Sequence, residues 1–145
     1  MSVTFTRGPH TIAVTTKLFA ENRRRLCAAL LKAGVPSKSV VLLEGGVEKT
    51  RYNTDAEDLP FRQESYFFWA FGVHESEFYG AIQVGTGRSV LFAPKLDPSY
   101  AIWMGKINPP EHFTKLYGVD ETKLNVDNVI EQTLKEFGAD PVLLL

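Results

Sequence analysis

The stretch PFRQESYFFWAFG, residues 60–72, decides how the rest of this chain is interpreted. Six of its thirteen side chains are aromatic, and residues 66–71 are apolar at both odd and even positions. Aromatic side chains suit the pleated surface of a sheet, so residues 66–71 are predicted to form a strand. A strand that is apolar on both faces belongs in the middle of a sheet. Gly72 is expected to end it.

Four polar residues, Arg62, Gln63, Glu64 and Ser65, stand directly before this run. A charged side chain that is buried without a partner costs several kcal/mol, on the order of 5 or more. These four residues are therefore expected to form an exposed turn of helix that leads into the strand.

The composition is that of an ordinary globular domain. The chain has 145 residues, 44% of them hydrophobic and 23% charged, which is enough for one domain with a hydrophobic core. A net charge of −1 gives no general attraction to nucleic acid or to an anionic membrane. The single cysteine, Cys27, excludes an internal disulfide and fits a reducing compartment. With no apolar run long enough to span a bilayer and no secretory leader pattern, a soluble cytosolic protein is expected.

Residues 17–33 carry a helical pattern that either Thr15 or Thr16 could cap. Gly34 and Pro36 end the pattern in the order typical of a helix C-terminus. The apolar stripe of this helix is predicted to contain Leu18, Phe19, Leu26, Leu30 and Ala33.

Two features of the same helix invite a functional interpretation. The triplet Arg23-Arg24-Arg25 could bind phosphate, but a solvated helix face is the favoured interpretation because no other basic cluster flanks it. Cys27 lies beside the apolar stripe, where a small core residue is expected rather than a nucleophile.

The strand pattern continues on both sides of the aromatic run. Residues 39–43 are typical of a buried strand, and residues 79–84 and 88–93 are joined by Gly85-Thr86-Gly87 as in a hairpin. Together with residues 66–71, the hairpin is predicted to form a three-stranded antiparallel meander. Residues 47–59 are expected to be a loop along the sheet edge, and residues 95–107 to be less regular.

The C-terminal third is predicted to hold two helices and a strand. Pro109-Pro110 opens a helix that runs to about residue 117. Asn125 or Asp127 is expected to cap a last helix, and residues 142–145 have the character of a buried strand. The last helix is predicted to bury Val126, Val129, Ile130, Leu134 and Phe137. A chain that stops inside a buried strand is expected to be a piece of a longer protein.

No catalytic motif is apparent. The three histidines, His10, His74 and His112, do not occur at the i, i+4 spacing of helical metal ligands, and neither an HExxH nor a GxSxG motif occurs. The residue pattern by itself therefore predicts an α/β domain without a recognisable active site.

Three segments nevertheless resemble one family. They are RYNTD (residues 51–55), FRQESYFFWAFGV (residues 61–73) and LFAPKLDPSYAIWMGKI (residues 91–107). Together they resemble the N-terminal domain of the proline dipeptidase (prolidase) family, within the wider aminopeptidase P and creatinase group. The WAFG and WMGK pieces, residues 69–72 and 103–106, are more similar to the dipeptidase branch.

The resemblance implies a fold and a division of labour. The fold is a mixed β-sheet with an antiparallel meander, flanked by helices in three layers. Residues 1–145 would form one N-terminal domain with an arm at residues 1–15, truncated before a metallopeptidase domain. That absent domain would hold two divalent ions, manganese or cobalt, which activate the water that attacks the bond before proline. No metal ligand is carried over to this chain, which alone is expected to be inactive.

The resemblance also implies partners and candidate site residues. The partners are the C-terminal metallopeptidase domain of the same protein, a second subunit in a homodimer, and the dipeptide substrate. Trp103 would close over that substrate; the alternative is that it packs on its own domain. Arg51, Asp55, Arg62 and Glu64 are expected to form a structural polar network that orders the preceding loop. A free-standing binding module that has lost the peptidase domain remains the alternative function.

Overall fold

The computed structural model describes residues 3–55 and 59–144. Along the chain the elements are β1 (Thr4–Phe5), β2 (Val14–Thr15), α1 (Lys17–Lys32), β3 (Val40–Glu44), α2 (Ser65–Phe71), β4 (Tyr79–Gln83), β5 (Ser89–Pro94), α3 (Tyr100–Met104), α4 (Pro110–Tyr117), β6 (Glu121–Asn125), α5 (Val129–Glu136) and β7 (Val142–Leu144). These elements form a mixed α/β fold, as expected from the sequence.

The main sheet has five strands in the order β6-β5-β4-β3-β7. The three central strands form an antiparallel meander, with Leu42 of β3 opposite Ala81 of β4 and Ala81 opposite Val90 of β5. Both outer strands run parallel to their neighbours, β6 to β5 and β7 to β3. The predicted hairpin of β4 and β5 is confirmed, but the third strand of the meander is β3 rather than residues 66–71.

The prediction of a strand at residues 66–71 is wrong, because this segment is helix α2. The Glu64 carboxylate accepts hydrogen bonds from the backbone N–H groups of Tyr66 and Phe67, which caps the helix. Gly72 ends the helix with φ 68°, in the left-handed region that glycine adopts freely. Because the cap and the stop are both local, they outweigh the strand preference of the aromatic side chains.

Two layers of helices cover the sheet. On one face, α1, α2 and α4 pack over a core that contains Val41, Leu43, Phe67, Phe71, Ile82, Leu91 and Tyr117. On the other face, α5 packs over Val40, Ala81, Val90 and Phe92. The neighbouring strand positions of β3, Val40 and Val41, belong to opposite cores, as the two-residue period of a strand requires. The result is the expected three-layer arrangement.

Helix α1 confirms the predicted helix, but its buried stripe differs from the expected one. Phe19 and Cys27 are buried, whereas Leu18 is 47% exposed and Ala33 lies on the surface. Asn22 and Arg23 are buried instead. The interpretation of Arg23 as part of a solvated helix face is therefore wrong.

The C-terminal part also differs in three places. Strand β6 was not predicted, and it includes Asn125, which was expected to cap a helix. Helix α5 follows Asn128 as its N-cap residue, so neither Asn125 nor Asp127 takes that position. Strand β7 is an edge strand rather than a buried one, with Leu144 72% exposed. Leu145 lies outside the described residues.

The N-terminal arm folds back on the domain as a short antiparallel pair, β1 with β2. Phe5 on β1 lies with its ring 5.7 Å from that of His74 and 6.2 Å from that of Tyr117, measured between centroids. The arm is therefore attached to the helical face of the core by an aromatic contact. None of the helices among the described residues is long and apolar enough to cross a membrane.

Candidate functional surface

Helix α3 follows the meander and carries three highly exposed apolar side chains. Ile102 is 78% exposed, Trp103 84% and Met104 68%, and no residue of the helix is buried. Most of the Trp103 side chain is thus exposed, and its closing over a substrate stays a prediction. The helix presents a compact apolar surface to its surroundings.

A groove of about 550 Å³ lies beneath α3. Tyr100 and Met104, one helical turn apart, face it from α3, and Phe78 and Phe113 face it from the body of the domain. The charged residues of its rim are Glu48, Glu75, Glu77, Lys95 and Lys106. Its size is in the range of sites that hold a small ligand or a few side chains.

The floor of the groove is held by hydrogen bonds to the segment that links α2 to β4. Tyr117 donates its hydroxyl proton to Glu75 at 2.5 Å. Gln63 donates to the carbonyl oxygens of Val73 and Glu75, and its own side-chain oxygen accepts from the Gly46 N–H. Burial, reinforced by the Glu75 carboxylate, raises the pKa of Tyr117 well above its ordinary value. Gln63, expected in an exposed turn, is instead half-buried and fixes two loops together.

Arg23 is the residue whose position the sequence did not reveal. Its side chain is 4% exposed and donates to the carbonyl oxygen of Ala70 at 2.9 Å and of Gly118 at 3.0 Å. Its guanidinium carbon lies 5.4 Å from the centroid of the Phe71 ring. These carbonyls are at the C-terminal ends of α2 and α4, where the helix dipoles favour a cation. Burial lowers the pKa of Arg23 to about 10.

The four residues of the predicted polar network are only partly placed by the structure. Glu64 caps α2 with its carboxylate, as described above. The Arg51 carbonyl accepts from both the backbone N–H and the hydroxyl of Thr54, which closes a turn. Arg62 and Asp55 are exposed. Whether the four side chains act as one network stays a prediction.

The described residues do not offer a metal site. Within residues 3–55 and 59–144, no group of three or more His, Cys, Asp or Glu side chains is arranged to hold an ion. Cys27 is buried, and that burial raises its pKa, so the thiol is a core group as expected from the sequence.

The fold and the surface together define an α/β domain whose candidate site is an exposed apolar helix above a groove. Residues 19–142 match the family model of the aminopeptidase P N-terminal domain, and the chain belongs to that family. This confirms the resemblance on which the fold and function were predicted.

The individual relatives are enzymes much longer than this chain. The chain is 53% identical over 120 residues to the Xaa-Pro dipeptidase of Rattus norvegicus, which covers 82% of the chain and 24% of that protein. It is 52% identical over 120 residues to the Xaa-Pro dipeptidase of Homo sapiens, with the same coverage. Aminopeptidase P from E. coli, in its low-pH form, superposes with a TM-score of 0.71 at 25% identity and covers 89% of this chain and 28% of that one. The chain thus spans about a quarter of the length of the curated relatives it matches.

Proposed function

We propose that this chain is the non-catalytic N-terminal domain of a metal-dependent Xaa-Pro dipeptidase and covers the site at which the peptidase domain cleaves the bond before proline. Its identity of 53% to a mammalian Xaa-Pro dipeptidase supports the dipeptidase over the aminopeptidase assignment. The proposal places two divalent ions, manganese or cobalt, in the C-terminal peptidase domain, and the complete protein in the cytoplasm as a homodimer. The single cysteine of this chain, which fits a reducing compartment, supports that location.

The exposure of Trp103 is the observation that carries the proposal. An indole that is 84% exposed contributes little to the stability of its own domain. The same side chain can bury a large apolar area against another surface, and tryptophan is among the residues most enriched at the centres of interfaces. A cover of this kind excludes water from a small polar substrate and strengthens the electrostatic interactions beneath it.

The polar network is proposed as the support of this cover. Arg51, Asp55, Arg62 and Glu64 all lie in the segment that precedes α2. The capping contacts of Glu64 already tie this segment to the first turn of α2. A network among the four would order the loop of residues 47–55 against the domain.

A chimeric enzyme tests the proposal. The corresponding N-terminal segment of the rat Xaa-Pro dipeptidase is replaced by this chain, and hydrolysis of Gly-Pro is measured with added Mn²⁺. We expect the chimera to be active, and Trp103→Ala in it to lower kcat/KM about tenfold or more, equivalent to about 1.4 kcal/mol of transition-state stabilisation. Ile12→Ala is the matched control, because Ile12 is 86% exposed and lies outside both α3 and the loop of residues 47–55.

The outcomes separate the two candidate functions. An active chimera in which Trp103→Ala and Ile12→Ala behave alike would contradict the role of Trp103 as a cover. A folded but inactive chimera would favour a free-standing binding module. The isolated chain with Mn²⁺ is expected to release no proline from Gly-Pro, and turnover that copurifies with it would overturn the non-catalytic assignment.

A further inference from the structure

Helix α3 has few interactions with the rest of the domain. It has five residues, far fewer than the roughly 12–15 that an isolated helix needs to be even marginally stable in water. Short helices are normally stabilised by burying one face, but no residue of α3 is buried. The helix is therefore held by something weaker than core packing.

Its hydrogen bonds do not attach it to the domain. Throughout residues 95–108, each hydrogen bond among the described residues joins two members of the same segment. Asp97 accepts from the Ser99 and Tyr100 N–H groups, and the Gly105 N–H bonds to the Ala101 carbonyl. No ion pair among the described residues links Lys95, Asp97 or Lys106 to another element.

What holds the segment in place is apolar contact across the groove. Leu96 and Ile107, near the two ends of the segment, are half-buried and line the groove, whereas Tyr100, the best-covered large side chain of α3, is still 39% exposed; with Met104 it faces Phe78 and Phe113. A groove of about 550 Å³ remains between these two sides, so the contact is not close-packed.

The ends of the segment are built for movement of the middle. Pro94 and Pro109 anchor it at the end of β5 and the start of α4, where proline restricts the backbone. Gly105 has φ 86° and ψ −149°, a combination that residues with a side chain rarely adopt, and a Cβ there would meet nothing within 4 Å. Gly105 therefore has open space where a side chain would stand, so no neighbouring atom on that side restricts its backbone torsions.

We infer that residues 97–106, between the half-buried Leu96 and Ile107, form a flap, which opens from the groove as one unit while the sheet and the other helices stay folded. The flap carries Ile102 and Trp103 on its outer side, so its opening and closing would move the exposed apolar surface relative to the core. This inference uses only contacts within the chain and does not depend on the proposed peptidase function, so either can fail without the other.

Amide hydrogen exchange of the native chain tests the flap with a matched pair of hydrogen bonds. The Gly105 N–H bonds to the Ala101 carbonyl at 3.2 Å, and the Gly118 N–H bonds to the Thr114 carbonyl at 3.1 Å. Both are glycine amides at helix C-termini with nearly equal bond lengths. We expect the Gly105 amide to exchange on the order of 100-fold or more faster than the Gly118 amide, without dependence on low urea concentrations. Equal protection of the two amides would overturn the inference.

Two variants identify the contact that closes the flap. Tyr100→Ala removes the large groove-facing side chain of α3 and is expected to speed exchange of the Ile102 and Gly105 amides about tenfold, while the Gly118 amide is unchanged. Ile102→Ala is the control, because Ile102 is 78% exposed and does not line the groove. If both variants have the same effect on flap amides, or if Tyr100→Ala accelerates the Gly118 amide equally, the flap does not open as a separate unit.

Discussion

Replacement of Arg23 by methionine is expected to destabilise the chain, although the neighbouring arginine can be replaced almost without effect. Methionine fills a similar volume but leaves the carbonyl oxygens of Ala70 and Gly118 without the guanidinium donors. Loss of the donor costs about 2 kcal/mol at the buried Ala70 carbonyl and about 1 kcal/mol at the part-buried Gly118 carbonyl, and loss of the desolvated cation–π contact with Phe71 costs about 2 kcal/mol. The Ala70 contact is buried, so water cannot take the place of the lost donor there, whereas the exposed Gly118 can recover part of its loss from water.

The loss is partly offset because methionine carries no charge to bury. Burial lowers the Arg23 pKa from 12.5 to about 10, which at about 1.4 kcal/mol per pKa unit corresponds to about 3 kcal/mol of cost in the native charged state. The net destabilisation by Arg23→Met is therefore expected to be about 2 kcal/mol. Arg23→Lys keeps the buried charge but loses the forked geometry that reaches both carbonyls, so it should cost at least as much.

Equilibrium urea unfolding, followed by circular dichroism, measures this difference. With an m-value of about 2 kcal/mol/M, a loss of about 2 kcal/mol lowers the unfolding midpoint by about 1 M urea. Arg24→Met is the matched control, since its side chain is 68% exposed and pairs only with Glu21 three residues away, an interaction worth about 0.5 kcal/mol or less. If Arg23→Met and Arg24→Met have the same urea midpoint of unfolding, the contacts of Arg23 with the ends of α2 and α4 do not stabilise the fold.

Three further expectations follow from the core. Gly80→Ala places a Cβ 2.3 Å from the Phe71 ring and should cost about 3 kcal/mol in urea unfolding, whereas Gly87→Ala meets no atom within 4 Å and should cost only about 1 kcal/mol for its φ of 73°. Because the native pKa of Tyr117 is raised above its ordinary value of 10.0, the stability that this phenol contributes is complete below pH 10 and falls as the pH rises further. Between pH 9 and pH 11 the free energy of unfolding should therefore fall less in Tyr117→Phe than in the unsubstituted chain. The buried Cys27 thiol should react with a disulfide reagent at pH 8 at least about 100-fold more slowly in the native chain than in urea, and equal rates would contradict its core position.

The sequence predicts most strands of the sheet but wrongly predicts a strand for the aromatic segment, and the reason is visible in α2. Its buried residues Phe67, Ala70 and Phe71 have the i, i+3, i+4 spacing of a helix face. Two of its exposed residues, Tyr66 and Trp69, are themselves aromatic, so hydropathy alone does not separate the two faces. The local signal that could have identified the helix was the carboxylate of Glu64 before the run together with Gly72 after it.

Strand β6 and Arg23 illustrate a second kind of limit. Strand β6 reads ETKLN, a polar edge strand held by its parallel ladder with β5 and by hydrogen bonds that join Thr122 to Thr114 and Lys123 to Thr133. The ladder partner β5 is distant in the chain. Arg23 is stabilised by carbonyl groups 47 and 95 residues away along the sequence. Neither a parallel ladder nor a convergence of helix ends leaves a local pattern, because both depend on how separate elements pack. The periodicity of α5, by contrast, depends only on the apolar residues of that helix.

The candidate site differs from the core in how it uses apolar side chains, and that difference favours a role in contact with another surface. In α2 the large aromatic residues Phe67 and Phe71 face inwards and stabilise the fold. In α3 two large apolar side chains, Ile102 and Trp103, face outwards, and neither contributes much to the stability of the fold. Exposed apolar side chains contribute free energy only when something covers them. The exposure of Ile102 and Trp103 therefore supports the proposal that α3 contacts another surface, and the proposed flap would let it adjust its position on that surface.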